Sequence, residues 1–290
     1  MRESLLDKVK AFDKSGNVRT EVDKAMKSLK DFRTKYPFAE NPESIESLDP
    51  NDIFNEQSDE VGVFFHYIEY YLRPIGHLTI YGSNVYRQIR SQFEDFKELL
   101  YVVVDKKKSL AEKVDAPWDE IRGLGQDRHI AKKIIFCFNY EDGNLLPIFK
   151  TTHLEHFFNE IVDKPSSPAK YVSLGEKYEY LISELLKVKE NLQETQSWEL
   201  PYFSGFLYDS YTPPFVDEPP VGAAGGTKIH DEKRDERIQF GEFTKILNEL
   251  QRKGKISNDE YRDYAKLWRE QLQDRESLAE RLRTFLNKQS

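Results

Sequence analysis

The chain has 290 residues, with 43 lysines and arginines against 51 aspartates and glutamates, for a formal net charge of −8. That length can bury one large core or two modest ones, and an aromatic share of 13% is foreign to a disordered chain. The acidic balance argues against a general coat for nucleic acid or membrane surfaces, and a single cysteine excludes a disulfide framework or a cysteine-based zinc site.

In chain order, Leu5, Leu6, Val9 and Phe12 recur at helical spacing, as do Val22, Met26, Leu29, Phe32 and Tyr36. Gly16-Asn17 separates the two helices and Pro37 closes the second. Asp49-Pro50 reads as a cap followed by the first helical position. Residues 61–72 predict a helix whose apolar positions cover nearly every face, hence a central, buried one. Ser83 or Asn84 can cap a long helix through Val85, Ile89, Phe93, Phe96, Leu99 and Leu100. Ser109 and Glu112 form a capping-box pair. Residues 130–138 continue as a helix, and Cys137 within its apolar run reads as a buried thiol. Residues 140–144 have turn chemistry, and Thr151 or Thr152 can cap a helix through Leu154 and Phe158. Ser173 opens a helix through Leu181 and Leu185. The aromatic segment from Trp198 to Tyr211 should pack back on the main body, with base stacking as its alternative use.

Prolines 213, 214, 219 and 220 and the glycines near 222–226 predict a flexible linker over 213–238. Phe243, Ile246, Leu247 and Leu250, then Tyr261, Tyr264, Leu267 and Trp268, describe two amphipathic helices over 239–290, with Ser257 and Glu260 as a capping box. The fold class expected is mainly α: a multi-helix globular domain over 1–212 with a helix-hairpin-helix-like element, a linker, and a C-terminal helical hairpin suited to docking a protein partner. No apolar run approaches the ~20 residues of a membrane helix, and the charged N-terminus lacks a signal peptide's apolar stretch. A soluble cytoplasmic protein with no membrane contact is the expectation. The glycines at 222–226 lack phosphate-loop spacing, so no cofactor is implied.

Residues 121–156 carry the most chemistry. The turn Ile121-Arg122-Gly123-Leu124-Gly125 lets backbones approach closely and aims N–H groups at the start of the next helix, a natural anion site. Arg122, Arg128, Lys132 and Lys133 against Asp127 give this stretch a charge of +3. With the helix at 130–138 and Pro147-Ile148-Phe149-Lys150-Thr151-Thr152-His153-Leu154, it resembles the helix-hairpin-helix DNA glycosylase superfamily, in its endonuclease III-like branch. The resemblance implies DNA as partner: Arg122, Arg128, Lys132 and Lys133 would hold phosphates, and Gly123 and Gly125 would permit close approach. The family's catalytic aspartate falls on Thr151 and its lysine on Asp127, so the implied protein contacts DNA without the family's chemistry. Leu174-Gly175-Glu176-Lys177-Tyr178-Glu179-Tyr180-Leu181, followed by Tyr202-Phe203-Ser204-Gly205-Phe206-Leu207-Tyr208, resembles recognition regions of McrB-type restriction proteins. A repair or restriction setting follows from both.

Two alternatives stay open. A divergent glycosylase or lyase could use His66, Glu69 or His153 for the missing carboxylate role, in a pocket with Thr151. An adaptor could act through residues 239–290. His66 and Glu69, at i, i+3 spacing, form either an acid–base pair or a satisfied core histidine and its neighbour. His153 and His156 share a helix face, but without a third ligand no metal is expected.

Overall fold

Helices begin where the sequence supplies capping side chains or a sharp turn. The computed structural model describes residues 4–76, 81–163 and 171–214, together with 247, 250, 255–257, 260 and 264. Helix α1 (Leu5–Ala11) starts at Ser4, whose hydroxyl accepts from the Asp7 amide. Gly16, at φ +70°, turns the chain into α2 (Asn17–Lys35). Asp49 accepts from the Asn51 amide at α3 (Pro50–Ile53). A short antiparallel ladder then pairs β1 (Phe54–Asn55) with β2 (Glu60–Val61). Helix α4 (Val63–His66) runs straight into a π-helical turn, Tyr67–Tyr71, closed by the Leu72 amide donating to Tyr67 O at 3.0 Å.

Helices α5 (Ser83–Ser91), α6 (Phe93–Val104), α7 (Leu110–Val114), α8 (His129–Asn139), α9 (Thr151–Ile161), α10 (Leu174–Asn191), α11 (Gln193–Gln196) and α12 (Leu200–Ser210) follow. The capping box at α7 forms as expected, with Ser109 and Glu112 bonding each other's backbone amides. Ser173 likewise caps α10 through Glu176 N. The chain is mainly α-helical, and no helix among the described residues is long and apolar enough to cross a membrane.

Apolar faces of α2, α4, α6, α8, α10 and α12 meet in one core. Phe32 contacts Phe64 and Phe138 at 5.2 and 5.4 Å between ring centroids, and Phe64 meets Phe96 edge-on at 6.0 Å. Tilted and edge-on contacts of this kind are favoured by the ring quadrupoles. Helix α10 packs on α7 and α9, and α12 on α2. At the α7–α10 contact a Cβ on Gly175 would lie 2.2 Å from Ala111 O, so only glycine admits this approach. Phe12 packs against Trp198, Tyr202 and Phe206, which accounts for the aromatic richness of 198–211 as core covering.

Three expectations need correction. Residues 61–72 are not one buried helix: Val61 belongs to β2, and Val63, Tyr70 and Tyr71 are 45, 47 and 51% exposed. The helix expected from 83 to 100 breaks at Gln92 (φ −114°, ψ 45°) into α5 and α6, and Gly82 rather than Ser83 or Asn84 takes the capping position of α5. Thr151 is the first residue of α9 rather than its cap, because its side chain is engaged elsewhere.

By its contacts the chain divides into two compact units, Met1–Gly222 and Ala223–Ser290. In the second, Leu247, Leu250 and Ile256 are buried, and Ser257 and Glu260 close a reciprocal capping box. Residues 215–238 of the linker expected over 213–238, and the rest of the C-terminal hairpin expected over 239–290, lie outside the described residues.

Candidate functional site

The hairpin is anchored by its apolar residues. Ile121 and Leu124 are buried, and the Leu124 amide donates to Ile121 O at 3.0 Å. Gly123 sits at φ +100°, where a Cβ would also press to 3.0 Å from Val85 Cγ2 on α5. Both constraints demand glycine. Arg122 and Gln126 are left facing solvent on either side of the turn.

The hairpin's other cations point inward. Arg128, at φ +54°, donates to Val114 O at 2.7 Å and Asp115 Oδ1 at 3.1 Å, with Asp119 3.6 Å away. Lys132 Nζ donates to Asp127 Oδ1 and to Thr151 Oγ1, both at 2.7 Å, and lies 4.6 Å from the Tyr178 ring centre. Lys133 Nζ donates to Leu72 O at 2.7 Å, at the end of the π turn. Lys132 and Lys133 are fully buried, so neither ammonium is offered to a phosphate, which corrects their assignment as nucleic-acid ligands. The physical reason is the central place of α8: every one of its residues is buried, so its lysines project into neighbouring elements. Of the four cations assigned to phosphate, Arg122 alone is exposed.

Asp127 gathers this network. Its carboxylate lies 2.6 Å from His129 Nε2 and accepts from Lys132, from the Thr151 amide at 2.8 Å and from the Thr151 hydroxyl. Burial works to raise its pKa, but the hydrogen bond with His129 and the Lys132 charge outweigh it and hold the carboxyl well below the usual range. Burial lowers Lys132 to about 8 against the pull of Asp127. Burial also lowers Lys133 to about 8. A carboxylate thus already sits against the first turn of α8, where the turn geometry alone would invite an external anion.

The four residues considered as a pocket are held by different neighbours. Thr151 belongs to the Asp127 network. Glu69, 2% exposed, accepts from the Tyr81 amide at 3.1 Å and from the Tyr86 hydroxyl, leaving Oε2 unpartnered. Burial raises its pKa. His66 instead stacks on Tyr70, so it does not form an acid–base pair with Glu69. His153 Nδ1 lies 3.1 Å from the Tyr208 hydroxyl, and His156 Nε2 3.0 Å from Tyr211 O, so both imidazoles turn toward α12 and its end. No group of three metal-binding side chains occurs among the described residues. Cys137 is buried, and burial pushes its thiol up to about 12.

Two features escape a reading of sequence alone. The Asp127, His129, Lys132 and Thr151 network joins residues 24 apart, and its signal was a lysine pair inside an apolar helix, which requires buried acceptors. The turn Lys106-Lys107-Lys108, ahead of the Ser109 cap, exposes Lys106 and Lys107 one short helix away from the hairpin's Arg128 contact. A groove of about 320 Å³ lined by Asp23, Met26, Lys27, Lys30 and Glu199 lies on α2 and involves no hairpin residue.

No family model, no curated protein and no solved structure matches the chain.

Proposed function

We propose that the chain is a DNA-contacting scaffold of helix-hairpin-helix type, serving a repair or restriction system without carrying out base excision. The observation that supports this reading is the closure of the Asp127 network. Lys132, Asp127 and Thr151 satisfy one another, which braces the hairpin against α9 while Arg122 and Gln126 face outward. Contact then falls to Arg122 and the hairpin backbone, with Lys106 and Lys107 as the nearest exposed lysine pair along α7.

The test is fluorescence anisotropy with a short DNA duplex over a salt series. Arg122→Glu should weaken binding and lower the log–log salt slope by about 0.9 for each phosphate no longer neutralised. Lys106→Glu with Lys107→Glu should do the same. Wild-type protein that binds no duplex at low salt ends this reading.

A further inference from the structure

Among the described residues, Tyr70 and Tyr71 are the only large aromatic side chains left exposed, and both lie on the π-helical turn. In an α-helix, residue i+4 shares a face with residue i, whereas i+5 is displaced by roughly 140°. The wider turn closed by Leu72 N–H and Tyr67 O reduces that displacement. His66 therefore meets both tyrosines: Tyr70 in a stacked pair at 4.7 Å and 26°, and Tyr71 edge-on at 5.1 Å. Tyr67, partly buried, packs on Tyr71 at 5.1 Å. The rings are fixed in place before any ligand arrives, which limits the ordering entropy lost on binding.

The surroundings favour one kind of occupant. Arg73 follows the turn, exposed and with no carboxylate or carbonyl partner for its guanidinium among the described residues. Val63 is the one exposed aliphatic residue of the α4–π segment, too little for a groove that buries an apolar peptide. Ring faces beside an exposed cation suit a ligand that is itself aromatic and anionic. We propose that His66, Tyr70 and Tyr71 form a stacking platform for unpaired bases of single-stranded nucleic acid, with Arg73 pairing a backbone phosphate. The inference rests on the nucleic-acid reading above and extends it to a second face. Helix α5 connects the two: Val85 packs against hairpin Gly123, and the adjacent Tyr86 bonds Glu69 beneath the π turn.

The experiment uses the full chain, a labelled oligothymidylate and a duplex of equal length, read by anisotropy at low salt. Tyr70→Ala with Tyr71→Ala should weaken single-strand binding about ten-fold or more and leave duplex binding unchanged. The paired phenylalanine variants should bind as the wild type does, because stacking needs the ring and not the hydroxyl. Arg73→Gln should weaken binding and flatten its salt dependence. Single-strand binding unchanged in the alanine pair overturns the platform, and if Arg122→Glu still weakens duplex binding the function proposed above survives. Wild type that binds neither probe overturns both. An alanine pair that alters only the sedimentation behaviour identifies a protein contact and also overturns the proposal.

Discussion

Asp127→Ala is the sharpest probe of the buried network. It removes four interactions together: with His129, with Lys132, and with the Thr151 amide and hydroxyl. Lys132, fully buried, would keep Thr151 Oγ1 as its hydrogen-bond acceptor. Breaking a buried ion pair from one side costs about 3–5 kcal/mol, because a charge is left without its partner. Two facts argue for the lower end. Lys132 already titrates near 8 and can shed its proton, and the Asp127 side chain is 24% exposed, so water screens part of the pair. We expect a loss of about 3 kcal/mol at pH 7, or roughly 6–12 °C in Tm. Urea unfolding read by tryptophan fluorescence measures it well, since Trp118 is fully buried and its indole N–H donates to Lys113 O beside the hairpin. Adding Lys132→Met should recover about 2 kcal/mol of the loss, as an apolar replacement removes the stranded charge. A loss under about 1 kcal/mol, or strictly additive effects in the double variant, would refute the coupling and with it the brace.

Lys133 gives a pH-dependent prediction. Burial lowers it from 10.5 to about 8, so between those values the unfolded chain holds more protons than the native one. Stability must therefore rise with pH across that window, and wild type should gain about 2 kcal/mol relative to Lys133→Met between pH 8 and 10 by urea titration. A constant difference would show that the group is not desolvated. Glu69 works in the opposite sense: its raised pKa gives stability that is present below the unfolded value of 4.5 and lost as pH rises through the folded one. Glu69→Gln should stabilise at pH 7 and lose that gain by pH 4 in thermal melts, and equal gains at both would contradict the burial argument. Gly175→Ala should destabilise by about 2–3 kcal/mol by driving a methyl group into Ala111 O, and a neutral outcome would mean that α7 and α10 can separate freely.

Local signals are legible wherever a short stretch decides the outcome. Asp49, Ser109 and Ser173 each cap a helix through a backbone amide a few residues on, and their spacing is visible in sequence. The π turn is not legible, because residues 61–72 read as apolar on every helical face and only the packed core shows which rings stay outside. The hairpin turn is readable at Gly123, but the direction of its cations is not. Counting Arg128, Lys132 and Lys133 as surface charge assumes that basic residues near a turn face water. Their acceptors, Val114 O, Thr151 and Leu72 O, come from segments 14, 19 and 61 residues distant, which no local pattern reports.

Burial of the two adjacent lysines also changes how the molecule answers to acylating reagents. Amines titrating near 8 are chemically ready to react, yet those of Lys132 and Lys133 have no path to a reagent while α8 stays seated. Lys106 and Lys107, in contact with solvent, would be modified at once and serve as an internal standard. The slow modification of the α8 pair becomes a clock for excursions of that helix out of the core.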